Sequence, residues 1–131
     1  MAEDYTILIV DDEEDFRETL VKRLQKRNLK AFGAESGPKA LKLMEAMAFD
    51  VVVLDVKMPG MDGIDTLKEM KKKNPRTEII LLTGHASLES GIQGMKLGAF
   101  DYLMKPVNLD DLIEKIRQAY ERKLVQEQEK S

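Results

Sequence analysis

The chain has 131 residues and a formal net charge of -3, and its 43% hydrophobic and 34% charged residues are typical of one globular domain. Cysteine is absent and histidine occurs once, so disulfides, thiolate zinc sites and histidine metal clusters are excluded, and a bound metal needs oxygen ligands. The near balance of charges predicts no direct nucleic acid contact and no membrane binding. No apolar run could span a bilayer and the first residues do not resemble a signal peptide, which together predict a cytoplasmic protein.

Five strand-like patterns alternate with five helical patterns along the chain. Strands are predicted at residues 7–10, 29–34, 50–54, 78–82 and 99–104. Apolar residues at helical spacing follow each strand. Ser36 marks the start of the second helix, Asn74 before Pro75 ends the third, and Asn108 caps the fifth. This order predicts an open sheet of parallel strands with helices on both faces.

Four of these strands end in side chains that can bind a metal ion or a phosphate. Asp11 and Asp12 follow the first strand, Asp55 follows the third, Thr83 the fourth and Lys105 the fifth. Parallel sheets place their ligand sites outside the carboxyl ends of the strands. The five side chains are therefore expected to converge at one edge of the sheet.

The chemistry of this set favours phosphoryl transfer. Neighbouring carboxylates repel each other unless a cation lies between them, and an open oxygen site suits magnesium. Asp55 stands alone on its strand end and is the expected nucleophile, with Asp11 and Asp12 holding the ion. Lys105 and Thr83 would bind phosphate oxygens. Taken one at a time, each of these residues could instead be a cap, a strand residue or a surface lysine.

The same residues, in this order, resemble the receiver domain of bacterial two-component response regulators. The likeness extends to the segment at residues 58–63, to Gly84 after Thr83 and to Pro106 after Lys105. Residues 83–86 and 98–102 look most like receivers of the NtrC type. The resemblance implies a CheY-like, flavodoxin-like (βα)5 domain over residues 1–123, with residues 124–131 as a polar tail or the start of a linker helix. It also implies a cis peptide before Pro106.

The resemblance further implies a metal site and a phosphorylation site. Mg²⁺ or Mn²⁺ would be bound by Asp12 and Asp55, by Asp11 through water, and by the main-chain carbonyl of Lys57. Asp55 would accept a phosphoryl group from the phosphohistidine of a sensor histidine kinase or a phosphotransfer protein. No turnover of an external substrate is expected.

The resemblance also implies a switch. Thr83 would move toward the phosphoryl group and Tyr102 would turn inward, altering the surface of the fourth helix, fifth strand and fifth helix. That surface would control a partner protein or an output domain, with transcription regulation as one outcome. A phosphorylation-dependent homodimer is a further expectation. Gly91 and Gly94 in the fourth helix indicate either a mobile element of the switch or close packing.

Other classes of protein share parts of this pattern. A haloacid-dehalogenase-type phosphatase also uses a strand-end aspartate with magnesium, but it needs a second carboxylate where this chain has Lys57. A nucleotide or flavin binder of the same fold would carry a glycine-rich phosphate loop, which is absent. A docking module that is never phosphorylated is the remaining alternative. The cognate kinase, the stimulus, the output and the lifetime of the phosphorylated form are not encoded in recognisable motifs.

Overall fold

The structure is a computed structural model that describes residues 5–58, 62–84 and 88–129. The strands are β1 (Thr6–Val10), β2 (Lys30–Ala34), β3 (Val51–Asp55), β4 (Glu78–Thr83) and β5 (Asp101–Met104). The helices are α1 (Glu14–Lys26), α2 (Gly37–Ala46), α3 (Gly63–Lys73), α4 (Leu88–Lys96) and α5 (Leu109–Glu129). Part of the predicted turn at residues 58–63, and His85, lie outside the described residues.

The five strands form one parallel sheet in the order β2-β1-β3-β4-β5. The predicted fold class is therefore confirmed. β5 starts later than the predicted residue 99, because the backbone at that point completes the end of α4. Gly98 adopts a positive φ of 106° and the Ala99 N–H bonds to the Gly94 carbonyl, a helix end that favours glycine.

Two apolar layers cover the sheet, one on each face. α1 and α5 pack on the face that carries Ile7, Ile9 and Val53. α2 and α3 pack on the opposite face, and α4 approaches that same face at Leu81. Strand residues alternate between the faces and every second one enters the same layer, so the central strands are apolar throughout.

α5 runs the full height of the sheet. It begins after Asn108, whose side chain accepts a hydrogen bond from the Asp111 N–H at 3.1 Å, which confirms the predicted cap. It continues without a break through Lys123 to Glu129, and the division of the chain at residue 123 stays a prediction. None of the helices in the described ranges is both long and apolar enough to cross a membrane.

The far end of α5 is joined to the amino edge of the sheet by two ion pairs. Lys123 Nζ lies 2.7 Å from Asp50 Oδ1, just before β3, and Asp50 also accepts a hydrogen bond from the Thr6 N–H at 2.8 Å. Arg122 Nε lies 3.0 Å from the buried carboxylate of Glu78 at the start of β4. These contacts fix α5 at the edge of the sheet opposite to the carboxyl ends of the strands.

Candidate functional site

The carboxyl edge of the sheet brings together the acidic side chains that the sequence singled out. One carboxylate oxygen from each of Asp11, Asp12 and Asp55 lies within 4.8 Å of the others. The Lys105 ammonium reaches two of these groups, at 3.1 Å from Asp11 Oδ2 and 3.5 Å from Asp55 Oδ1. The side chains at the carboxyl ends of strands β1, β3 and β5 therefore meet in one charged cluster.

Asp11 is the most enclosed member of the cluster. It has no solvent-exposed surface, and its second carboxylate oxygen accepts a hydrogen bond from the Glu13 N–H at 2.9 Å. Its main-chain carbonyl accepts a hydrogen bond from Arg17 Nη1 at 3.0 Å. Asp12, by contrast, is exposed. The pair therefore presents one fixed carboxylate and one at the solvent boundary.

Asp55 is the last residue of β3 and is only 6% exposed. Its burial and the nearby negative charge of Asp11 raise its pKa to about 6, while the Lys105 ammonium acts in the opposite direction. The carboxyl is thus mostly ionised at neutral pH, although ionisation costs more there than in water.

Lys105 is held between its two carboxylates and an aromatic ring. Burial lowers the pKa of this lysine, but the charges of Asp55 and Asp11 outweigh that effect and raise it overall. The ammonium also lies 4.6 Å from the centre of the Phe16 ring, within the range of a cation-π contact. The peptide bond between Lys105 and Pro106 is cis, as expected.

Thr83 contributes a buried hydroxyl to this edge of the sheet. It ends β4 with 1% exposure, and its Oγ1 makes no hydrogen bond within the part of the chain that the structure describes. Its main-chain carbonyl accepts a hydrogen bond from the Lys105 N–H at 2.7 Å, which links the ends of β4 and β5. A buried hydroxyl without a partner is costly, so it indicates a group that bonds in another state of the site.

The side chains of two other predicted residues lie outside the charged cluster, although the Lys57 backbone is hydrogen-bonded to Asp55. Tyr102 is half-buried on β5 and packs against the apolar layer that contains Leu81 and Leu54. The side chain of Lys57 is exposed beyond the end of β3.

Sequence reasoning missed three residues that shape the site. Phe16 and Arg17 lie on α1, and their contacts with Lys105 and Asp11 depend on how this helix docks on the sheet. Gly63 begins α3, where a Cβ would lie 2.5 Å from the Asp55 carbonyl oxygen. A glycine at the first position of a helix, next to a motif aspartate, was the available signal.

The donor set fits a hard divalent cation. Three carboxylates lie within reach of one another, two of them buried, and burial together with the Asp11 charge raises the pKa of Asp55 despite the nearby Lys105. Carboxylate oxygens are the ligands that such cations prefer. An acidic cluster whose oxygens could hold a metal ion is therefore present at this edge.

Comparison with known proteins agrees with the fold. The family of the response regulator receiver domain matches residues 7–117. The regulatory protein AtoC of Escherichia coli (strain K12) is 42% identical over 106 residues, which cover 81% of this chain and 23% of that protein. The DNA-binding transcriptional regulator NtrC of the same strain is 33% identical over 113 residues, or 86% of this chain and 24% of NtrC. The chain thus spans about a quarter of the length of these relatives.

Among solved structures, a response regulator receiver domain protein from Clostridium thermocellum is 37% identical, with a TM-score of 0.88. The alignment covers 92% of this chain and 98% of that one. The chain therefore belongs to the response regulator receiver domain family, the phosphorylation-dependent signalling modules of two-component systems. Within that family its relatives AtoC and NtrC confirm the predicted likeness to the NtrC type.

Proposed function

We propose that Asp55 is the phosphoacceptor of this receiver domain. An oxygen of its carboxylate attacks the phosphorus of a phosphohistidine on a sensor histidine kinase or a phosphotransfer protein. The new O–P bond forms as the N–P bond breaks, and the bonding electron pair leaves with the histidine nitrogen. The mostly ionised state of Asp55 at neutral pH supports this role, because the carboxylate is the nucleophilic form.

The observation that carries the proposal is the buried hydroxyl of Thr83, which has no hydrogen-bond partner among the described residues. Thr83 ends β4, which pairs with β3. Its main-chain carbonyl accepts a hydrogen bond from the Lys105 N–H, and the Lys105 ammonium lies 3.5 Å from Asp55 Oδ1. A phosphoryl group on Asp55 would supply oxygens for both, with Thr83 donating a hydrogen bond and Lys105 forming an ion pair. The same contacts would draw Thr83 toward Asp55 and let Tyr102 turn inward.

Asp11, Asp12 and Asp55 would hold Mg²⁺ or Mn²⁺, with the main-chain carbonyl of Lys57 as a further ligand. When bound, such an ion offsets negative charge on the phosphoryl oxygens. Asp11 is held in place for this task by the Glu13 N–H and by Arg17, and Asp12 faces the solvent from which an ion enters. The domain turns over no external substrate in this proposal.

Other proteins would recognise the phosphorylated state through the surface formed by α4, β5 and α5. Ile92 and Met95 on α4 are 47% and 39% exposed, which suits contact with a partner protein or an output domain. A phosphorylation-dependent homodimer through this face is part of the proposal, as is a cytoplasmic setting shared with the kinase. Direct contact of this domain with nucleic acid is not part of it.

The proposal is tested with acetyl phosphate as the phosphoryl donor. We expect intact mass spectrometry to show one added phosphoryl group on the protein incubated with Mg²⁺, and none after chelation of the metal. Asp55→Asn should abolish the adduct, whereas Asp65→Asn, which changes an exposed aspartate on α3, should retain it.

Two results would overturn the proposal. One is an adduct that persists in Asp55→Asn, and the other is the absence of any adduct in the unmodified protein. Sustained release of product from an aryl phosphate would instead favour the phosphatase alternative.

A further inference from the structure

The face of α4 that packs on the sheet is built from glycine at two buried positions. Gly91 and Gly94 are three residues apart and therefore lie on the same face of the helix. Both positions have close neighbours where a side chain would begin, but the neighbours differ. This difference separates the role of Gly91 from that of Gly94.

At Gly94 the neighbour is an ordinary core residue. A Cβ there would lie 2.1 Å from Leu81 Cδ1 and 3.5 Å from Leu67 Cδ2. Both leucines belong to the apolar layer under α4. Gly94 therefore lets the helix approach the core closely, which supports the close-packing interpretation of this glycine.

At Gly91 the neighbours are the two proposed switch residues. A Cβ there would lie 3.3 Å from Thr83 Cγ2 and 3.3 Å from both Cγ and Cδ2 of the Tyr102 ring. These distances are shorter than ordinary van der Waals contact, so either neighbour would have to shift. The space at Gly91 is thus shared by the threonine of β4 and the tyrosine of β5.

We propose that Gly91 is a positioning residue that sets the space in which Thr83 and Tyr102 rearrange. The inference rests on the proposed function, because it assigns a third participant to the same switch. Movement of Thr83 toward Asp55 withdraws its methyl group from Gly91, and the Tyr102 ring then takes up the space beside the helix. Because Gly91 has no side chain, α4 leaves room for Thr83 and Tyr102 to move.

The test is Gly91→Ala, compared with the unmodified domain at equal occupancy by phosphate. The readouts are the adduct by intact mass and the phosphorylation-induced NMR shift changes of the Thr83 methyl, the Tyr102 ring and the α4 amides. We expect full adduct formation, but shift changes reduced by about half or more. The added methyl should change the ratio of the two arrangements of Thr83 and Tyr102 severalfold. Alanine is the better helix former, so weakening of α4 would not explain the loss.

Gly94→Ala is the matched control on the same helix. Its added methyl meets Leu81 rather than the switch residues, so it should lower the melting temperature yet keep the full shift response. Thr83→Ser provides a second background, since it removes Cγ2 and retains the hydroxyl. The effect of Gly91→Ala should be smaller in that background, and this comparison also serves if Gly91→Ala alone folds poorly.

Three results would overturn the inference: a shift response of normal size in Gly91→Ala, loss of the adduct in a folded Gly91→Ala, or an undiminished effect in the Thr83→Ser background. The proposed function fails in a different way, through absence of the adduct in the unmodified domain. The two failures are therefore distinguishable within one set of samples.

Discussion

The carboxyl group of Asp55 carries an unfavourable charge when no cation or phosphoryl group is bound. Its pKa rises from 3.8 to about 6 on folding, so between those pH values the folded protein binds more protons than the unfolded chain. This group therefore makes the free energy of unfolding fall as the pH rises through that window. Above the folded-state pKa of about 6, the loss of unfolding free energy caused by this group has reached its full value and no longer changes with pH.

Removing the charge at Asp55 should stabilise the domain. In the absence of divalent cations, Asp55→Asn is expected to raise the free energy of unfolding at pH 7 by about 1 to 3 kcal/mol. The gain should shrink as the pH is lowered through about 6 and vanish below the unfolded pKa of 3.8. Urea denaturation at several pH values measures this gain in the free energy of unfolding. Asp65→Asn is the control and should leave the free energy of unfolding unchanged. An Asp55→Asn protein no more stable than the original at pH 7 would contradict the electrostatic argument.

Gly63 occupies a position where no side chain fits. A Cβ there would lie 2.5 Å from the Asp55 carbonyl oxygen and 2.6 Å from Val56 Cα, and these are backbone atoms that cannot rotate away. Gly63→Ala should lower the free energy of unfolding by about 3 kcal/mol, at the upper end for overpacking. Gly84→Ala is the control, because its Cβ meets no atom of the described residues within 4 Å. Equal effects of the two substitutions in chemical denaturation would show that the contact is not responsible.

At the scale of elements, α5 is held at both ends by specific contacts. Asn108 caps its start, and Arg122 and Lys123 pair with acidic residues at the amino edge of the sheet near its other end. Its last turns carry Leu124 and Val125, which are 38% and 52% exposed and add little burial. The order of these turns therefore depends on the ion pairs just before them.

Removing the Lys123 ammonium should loosen the end of α5. Lys123→Met is expected to speed amide hydrogen exchange in residues 124–129 several-fold while leaving the first turns of α5 unchanged. Arg117→Met is the matched control, because Arg117 forms ion pairs with exposed Glu114 and Glu121 on the same helix. Faster exchange along the whole helix in Lys123→Met would mean that the contact stabilises α5 as a unit.

The strands and their acidic ends were predictable because they depend on local sequence. Apolar runs flanked by helical patterns set the sheet, and parallel strands necessarily bring Asp11, Asp55 and Thr83 to one edge. The contacts of Phe16 and Arg17 were not predictable, since they depend on the docking of α1 against strands distant in sequence. The late start of β5 likewise follows from the end of α4. There the Ala99 N–H bonds to the Gly94 carbonyl, and the apolar pattern at residues 99–104 does not indicate this contact.

At the scale of the whole molecule, the acidic cluster joins segments that are far apart in sequence. Asp11 and Asp12 follow β1, whereas Asp55 ends β3, so the cluster exists only in the folded chain. A cation bound there would stabilise the entire fold, by about 2.7 kcal/mol at a hundred times its dissociation constant.

Divalent cations should therefore raise the melting temperature of the domain, increasingly with concentration. Calorimetry with MgCl₂ is expected to show this rise in the unmodified protein and a clearly smaller one in Asp12→Asn. Asp65→Asn controls for loss of one negative charge elsewhere and should respond normally. Similar rises in Asp12→Asn and the unmodified protein would place the bound ion outside the acidic cluster.

α5 also connects the two edges of the sheet mechanically. A helix of 21 residues is about 30 Å long and stiff along its axis, so a displacement of its first turn is expected to be passed along the helix as rotation or sliding near its other end. Lys123 and Asp50 meet there, far from the acidic cluster. The carboxyl resonance of Asp50 is therefore expected to serve as a remote reporter of the proposed phosphorylation of Asp55, without any label near the reacting atoms.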